Sequence, residues 1–292
     1  MGPLRLFIFG EFMNKFCIIV NKDRDEQLEL TKQVQAFLSA EGKQYEVRTE
    51  SLDTADAVWE PIGEDTDCII VLGGDGTMIR AANRLLQYDI PIFGINAGNL
   101  GYLTGIEAKD AKKGLERICA GNFRVQNRMM LDAEINGTYT DTVLNEVAIT
   151  RSGVSRMINL AVYVNGALLD IITGDGLLIS TPTGSTGYNL SAGGAVVTPE
   201  AKLILLTPIC PHSLSSRENV VSAEDEISVE IRQNRRGPEV SAVATFDGRI
   251  AVELNTEDRI VVKGSSYSTK MVQLDERTFF EVLRSKLGSK EQ

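Results

Sequence analysis

The sequence predicts an α/β protein in two parts. A parallel-sheet domain occupies residues 1–125, an all-β, sandwich-like domain 126–265, and a C-terminal segment, 266–292, returns to the first. Three observations predict this. Before residue 125, short continuous apolar runs alternate with stretches of helical spacing; beyond it the apolar period drops to two between hairpin-turn dipeptides; the end of the chain returns to helical spacing.

In the first part, Phe16 to Val20 is a compact apolar run and reads as a buried strand. Residues 24–39 place Leu28, Leu30, Val34, Phe37 and Leu38 on one helical face, and Gly42 stands just beyond as a stop. Tyr45 to Val47 is a short second strand, and Cys68 to Leu72 a third that runs directly into glycines. Thr77 to Leu86 follows as a helix, Ile90 to Phe93 as a fourth strand, and Ala108 to Cys119 as a helix closed by Gly121. Buried strands alternating with helices require a parallel sheet covered on both faces, a Rossmann-like arrangement.

The second part begins with alternating Leu131, Ala133 and Ile135, which run into the turn Asn136-Gly137. Ile158, Leu160, Val162 and Val164 alternate likewise and end at Asn165-Gly166. Further short strands are expected at 176–180, 203–206, 227–232, 241–246, 250–254 and 259–263, with Asp247-Gly248 as another hairpin turn. Residues 275–287 form the last helix, with Phe279, Phe280, Leu283 and Leu287 on one face. Residues 1–13 are either an extra edge strand or an extension upstream of Met13.

Composition narrows the function classes. Thirty Lys and Arg against forty Asp and Glu give a formal charge of -10, which argues against a nucleic-acid binder needing a basic face. No apolar run reaches the roughly 18 residues of a membrane span, and the first residues carry neither a long apolar core nor a small-residue cleavage site. The expected address is the cytoplasm. Cys17, Cys68, Cys119 and Cys210 are scattered and read as reduced thiols, wholly or partly buried; with a single histidine, His212, an all-protein zinc site is not expected.

Two glycine-rich loops carry the chemistry of the first part. The strand at 68–72 runs into Gly73, Gly74, Asp75, Gly76 and Thr77, and a helix pattern follows. Glycines there permit a sharp turn and let backbone N–H groups approach an anion at a helix N-terminus. A carboxylate in such a turn repels an anion unless it has a task. Asp75 would orient or deprotonate a hydroxyl nucleophile, or help place a divalent cation beside phosphates; the alternative is a helix cap in a tight turn. This is neither a Walker A loop nor a GxGxxG turn. Residues 94–105 repeat the idea at the next strand end, where Asn96 and Asn99 offer amide contacts or structural Asx turns.

In the second part, Asn145 and Glu146 interrupt an apolar strand between Val143-Leu144 and Val147-Ala148, so that one faces a cleft while the other holds the frame, or both sit at a strand end. Residues 174–194 hold a loop rich in Ser, Thr, Gly and Pro at 180–187. It offers hydroxyls and backbone donors with little bulk. Tyr188 is available to border a flat ring, and Asp175 to accept hydrogen bonds from ribose hydroxyls or an amide.

These motifs together resemble the bacterial NAD kinase family over essentially the whole chain from residue 14. The Gly73–Thr77 loop is similar to one shared by a wider superfamily that includes 6-phosphofructokinases and diacylglycerol and sphingosine kinases; Asn145-Glu146 and the 174–194 block narrow the match. The resemblance implies that Asp75 is the catalytic residue beside the 2′-hydroxyl of the adenosine ribose, within a loop of Gly74, Asp75, Gly76 and Thr77. It implies that Asn145 and Glu146 contact the nicotinamide-side ribose and that Asp175 meets the nicotinamide end. Thr186, Gly187, Tyr188 and Ser191 would line the site around the bases. In such enzymes the dinucleotide lies between the two domains, and the assembly is a homodimer or homotetramer. Two positions depart from the pattern. Gly187 stands where many relatives have Ala, and Thr173 where many have Arg.

The expected reaction is in-line attack of the 2′-hydroxyl of NAD on the terminal phosphoryl of ATP, with Mg2+ carried mainly by the ATP phosphates and no metal site of the protein's own. The competing readings are a lipid or sugar kinase sharing only the glycine loop, and a dinucleotide sensor without turnover.

Overall fold

The computed structural model describes residues 13–21, 25, 27–49, 61–98, 101–153, 157–213, 215–233, 241–274 and 278–288. Asn99 and residues 1–12 lie outside that set, so the readings made of them do too. The chain divides into two compact units: the residues up to Asn127 together with those from Thr269 on, and Arg128–Ser268.

The first unit runs β1 (Lys15–Val20), α1 (Glu29–Ala40), β2 (Gln44–Arg48), β3 (Cys68–Leu72), α2 (Asp75–Arg84), β4 (Ile92–Asn96), β5 (Ile106–Glu107) and α3 (Ala111–Cys119). Its strands are all parallel, in the order β2-β1-β3-β4-β5. Every residue from Phe16 to Val20 and from Cys68 to Leu72 is fully buried, which is why these runs are apolar throughout rather than alternating. One face packs Phe16, Ile18, Ile70 and Phe93 with Val34 and Leu38 of α1 and Leu115 and Ile118 of α3. On β4, Gly94 leaves room for Met78 of α2, since a Cβ there would come within 2.7 Å of its Sδ.

Two of the boundaries that differ from the sequence reading bear on the site, and both have local reasons. The helix expected from Thr77 begins at Asp75, because Gly74 serves as its N-cap and Asp75 is already helical. The strand expected at Ile90–Phe93 begins at Ile92 and runs to Asn96, so Asn96 ends a strand instead of lying within a loop. The strand continues past Phe93 through Gly94 and Ile95 to Asn96.

The second unit follows with β6 (Arg124–Ile135), which starts in the first unit and enters the second at Arg128, then β7 (Tyr139–Val143), β8 (Glu146–Arg151), β9 (Ile158–Val164), β10 (Ala167–Gly174), β11 (Gly176–Ser180) and the short helix α4 (Tyr188–Ser191). Then come β12 (Leu203–Ile209), β13 (Asn219–Ser222), β14 (Ile227–Arg232), β15 (Ala242–Phe246), β16 (Ile250–Leu254) and β17 (Arg259–Gln273). One sheet is ordered β10-β9-β14-β17, with β6 beside β17 and β7 beside β6; the other is β13-β12-β11-β8-β15-β16, and the pairing is antiparallel. Leu160, Val162, Val229 and Ile260 of the first meet Val147, Ile149, Leu177, Ile179 and Phe246 of the second in one apolar core. This is the sandwich that the period-two pattern predicts. Its tight turns read correctly, with positive φ at Asn136 and Gly137, Asn165 and Gly166, and Asp247 and Gly248.

The chain passes back to the first unit within β17, which is far longer than the expected 259–263. Gly264 read as a strand end, but a Cβ there would lie 2.6 Å from the Ala223 carbonyl oxygen, so this glycine admits a close backbone and the strand continues. Met271 pairs with Ile92 in parallel, and Val272 and Leu274 join the first unit's core. The last helix, α5 (Phe279–Leu287), opens with a capping box: Glu281 N–H donates to the Thr278 hydroxyl, and Thr278 N–H donates to the Glu281 carboxylate.

Candidate active site

In the first unit the geometry centres on Asp75. The backbone turns sharply at Gly73, where a Cβ would meet the Thr77 hydroxyl oxygen at 2.4 Å. That hydroxyl accepts from Asn21 Nδ2 at 3.0 Å, which fixes the first turn of α2 against the end of β1. No side chain caps α2. Thr77 N donates to Gly74 O at 3.0 Å, which leaves the N–H groups of Asp75 and Gly76 to an anion, and the helix field favours one.

The Asp75 side chain turns from this loop towards the second glycine-rich segment. Its Oδ2 accepts from Tyr102 N at 2.7 Å and its Oδ1 from Leu103 N at 3.1 Å. The segment is tied in turn by Thr104, whose hydroxyl accepts from Gly101 N at 2.9 Å and from Asn96 Nδ2 at 3.2 Å, while Asn96 Oδ1 accepts from Gly98 N at 2.8 Å. Asn96 thus forms the Asx turn that was one of its two readings and organises the loop that holds Asp75. Burial, and after it the Asp75 charge, raises the Tyr102 phenol above its ordinary range. Each Asp75 oxygen keeps a lone pair for a ligand hydroxyl.

In the second unit the expected continuous strand is broken. Strand β7 ends at Val143 and β8 starts at Glu146, with Leu144 and Asn145 in a bend, so Asn145 and Glu146 are not neighbours on one strand facing opposite ways. The cause is a set of side-chain bonds that compete with the ladder. Asp247 Oδ2 accepts from Leu144 N at 2.8 Å, and Oδ1 accepts from Asn145 N and Glu146 N at 2.8 and 2.9 Å.

The loop after β11 packs on that bend. Thr181 donates its hydroxyl to Leu144 O at 2.6 Å and its N–H to Asn145 O at 2.8 Å. Gly184 lies so close that a Cβ would meet Asn145 O at 2.3 Å, and a Cβ at Gly187 would stand 3.4 Å from Asn145 Nδ2 and 3.5 Å from Glu146 Oε2. Asn145 Oδ1, Glu146 Oε2, Ser180 Oγ and Thr183 Oγ1 are buried with no protein partner. Four buried polar atoms around one bend without a protein partner require another polar group, a water or a ligand, in their place. Glu146 is pushed up to about 8, by burial first and by the Asp247 charge second.

Several of the expected site residues come together here. Asn145, Glu146 and Gly187 are in contact range, and Thr186 hangs from the same loop through a 3.4 Å bond to Thr183 O. Tyr188 and Ser191 are exposed on α4 beside it. Asp175 is not with them. It precedes β11, while Glu146 pairs with Ser180 at that strand's other end, roughly 15 Å away by strand rise. There Asp175 Oδ1 accepts from Arg151 Nε at 2.7 Å. The sequence reading missed Arg151, Thr181 and the carboxylate of Asp247, which it took for a turn residue only.

Among the described residues, no group of three or more His, Cys, Asp or Glu is placed to hold a metal ion, and no helix is long and apolar enough to cross a membrane. Cys17, Cys68 and Cys119 are buried as expected, but Cys210 is exposed, at a backbone φ of 44° just past the end of β12.

An acid beside the uncapped start of a helix, in a chain whose second unit holds buried amide, carboxyl and hydroxyl atoms without a protein partner, fits a kinase with an alcohol acceptor. The comparisons with known proteins name which. Residues 16–123 match the ATP-NAD kinase N-terminal domain and residues 144–274 the ATP-NAD kinase C-terminal domain. The chain belongs to the NAD kinase family. It is 44% identical over 285 residues to the NAD kinase of Lachnoclostridium phytofermentans, covering 95% of this chain and 100% of the relative. It is 38% identical over 281 residues to that of Agathobacter rectalis, covering 95% and 99%. Among solved structures it is similar to an NAD kinase from Archaeoglobus fulgidus in complex with ATP, with a TM-score of 0.75, 27% identity and coverage of 95% of this chain and 100% of that one. Its fold is also that of a yeast NADH kinase complexed with NADH, with a TM-score of 0.79, 22% identity and coverage of 97% and 89%.

Proposed function

We propose that the chain transfers the terminal phosphoryl group of ATP to the 2′-hydroxyl of the adenosine ribose of NAD, giving NADP and ADP. A bond forms between the 2′-oxygen and the terminal phosphorus, and the bond from that phosphorus to the β,γ-bridging oxygen breaks. Asp75 accepts the hydroxyl's hydrogen bond and orients or takes its proton. The glycine loop of Gly74, Gly76 and Thr77 receives anionic oxygens. Asn145 and Glu146 bind the other ribose, with Thr186, Gly187, Tyr188 and Ser191 around the bases, Asp175 at the nicotinamide end and Asn96 as the frame of the Asp75 loop.

The observation that carries this reading is the Asp75 carboxylate, fixed by Tyr102 N and Leu103 N at the mouth of the glycine loop. Mg2+ belongs to the triphosphate as part of the substrate rather than to a site on the protein, and it offsets the charge of the transferring group. A homodimer or homotetramer in the cytoplasm completes the proposal. Support for self-association comes from Leu168, Leu169 and Ile171, all exposed on β10, the edge strand of its sheet.

The test is NADP formation from NAD, ATP and Mg2+ by the unaltered chain and by Asp75→Asn. Turnover by the first and a loss of about 10²-fold or more in the second are expected. Binding of NAD with no turnover in either would leave a sensor in place of a kinase.

A further inference from the structure

The bend at Leu144–Glu146 is held to an unusual degree. The three N–H groups of Leu144, Asn145 and Glu146 all donate to the Asp247 carboxylate. The Leu144 carbonyl accepts from the Thr181 hydroxyl, the Asn145 carbonyl from Thr181 N, and the Glu146 carbonyl from Asp247 N. Every backbone donor and acceptor of the three residues is therefore engaged by just two residues, Asp247 and Thr181. Next to Asp247, Arg249 Nη2 donates to the Asp141 carboxylate and to Thr142 O at 3.1 Å, so the same turn also grips the end of β7. Against this fixed backbone stand Asn145 Oδ1 and Glu146 Oε2, both buried and without a protein partner.

Such a division, with main chain saturated and side chains unspent, is how a preorganised binding group is built. A break in a strand leaves N–H groups without their ladder partners, which costs stability unless something replaces them. The turn at Asp247-Gly248 replaces them with one carboxylate, and the negative charge makes each bond stronger than a neutral one. Positive φ at Asp247, 49°, aims its side chain back along the neighbouring strand end. An ordinary hairpin turn needs no such acid.

We propose that Asp247 and Thr181 are positioning residues for the dinucleotide: they act through the backbone of Leu144–Glu146 to present the Asn145 amide and the Glu146 carboxyl together to the ligand. This rests on the reading of Asn145 and Glu146 as NAD contacts. Neither residue touches the reacting atoms, and each acts through the bend. Asn at position 247 tolerates the same backbone but offers one acceptor oxygen where three N–H groups converge, and it turns an NH2 towards at least one of them.

The experiment measures NAD binding by calorimetry, and the KM for NAD and for ATP separately, in the unaltered chain and in Asp247→Asn. The KM and Kd for NAD should rise by about tenfold or more, as expected for loss of charge-assisted bonds, while the KM for ATP stays within about twofold. A merely structural role would instead lower the active fraction, reducing kcat while both KM values hold. Thr181→Val, which deletes the hydroxyl, should reproduce the selective rise, and Thr181→Ser, which keeps it, should restore NAD binding; this pair decides the matter if Asp247→Asn does not fold. Unchanged NAD affinity in a folded Asp247→Asn, or in Thr181→Val, would overturn the proposal. Failure of the unaltered chain itself to bind NAD would instead overturn the reading on which it rests.

Discussion

Gly101 lies directly against the carboxylate of Asp75: a Cβ at position 101 would come within 1.7 Å of Asp75 Oδ1. Backbone contacts this close make a glycine obligatory for the fold, but here the obstructed atom is the end of a side chain, which can rotate away. Gly101→Ala should therefore spare the fold and displace the acid. It should also loosen the N–H donors of Tyr102 and Leu103 that follow. The expected result is a fall in kcat of about 10²-fold, close to that of Asp75→Asn. Circular dichroism and the melting temperature should stay near those of the unaltered chain, and full activity in Gly101→Ala would show that Asp75 works in another position.

Glu146 gives the protein a pH dependence of definite sign. Its folded-state carboxyl is raised from 4.5 to about 8, so between those values the folded protein keeps a proton that the unfolded chain has released. The unfolded state binds fewer protons there, and stability falls as pH rises from about 4.5 to about 8, then levels off. Glu146→Gln cannot ionise and escapes this loss. Denaturant melts should find the two proteins similar near pH 4.5 and the Gln variant more stable at pH 8, by on the order of 1 kcal/mol or more. A gap that does not widen with pH would mean that Glu146 is ionised in the folded state.

Arg151 restrains the acid expected at the nicotinamide end. Its Nε donates to Asp175 Oδ1 at 2.7 Å and its Nη1 to Gly153 O at 2.8 Å. Both side chains are about one-third exposed, so the pair adds little stability. Arg151→Met should leave the melting temperature almost unchanged. By releasing Asp175 it should raise the KM for NAD by about three- to tenfold, an effect worth roughly 1 kcal/mol. Steady-state kinetics at fixed, saturating ATP measure this, and an unchanged KM would remove Asp175 from the dinucleotide site.

What the sequence made legible follows from the range of each interaction. Strands such as Cys68–Leu72 and turns such as Asn165-Gly166 are set by residues a few positions apart, so period and turn chemistry sufficed. Asn145 and Glu146 stood out because polar residues inside an apolar run are conspicuous. Their conformation did not, because it depends on Asp247, about a hundred residues away, whose Asp-Gly dipeptide looks identical whether its carboxylate is solvated or grips three N–H groups. Asn96 was ambiguous for a related reason. An amide that organises a loop and one that contacts a ligand have the same sequence signature.

Two glycines three residues apart in the loop after β11 should respond oppositely to the same change. At Gly184 a Cβ would meet Asn145 O at 2.3 Å and Asn145 C at 2.7 Å, both main-chain atoms of the bend that Asp247 and Thr181 fix. Neither partner can yield without breaking those bonds, so Gly184→Ala should cost about 2–4 kcal/mol of stability and abolish NAD binding. At Gly187 the nearest atoms are Gly184 O at 3.3 Å and the side chains of Asn145 and Glu146 at 3.4 and 3.5 Å, and the backbone φ of −95° is not left-handed. A methyl group there meets only a few tenths of an ångström of crowding. Gly187→Ala should fold with a melting temperature within a few degrees of the unaltered chain and keep NAD affinity within about threefold. Thermal melts and calorimetric titration of both variants check this. If Gly187→Ala behaved like Gly184→Ala, Asn145 and Glu146 would be tolerating no displacement at all, and the ligand-binding bend would have to include Gly187 as part of its rigid frame.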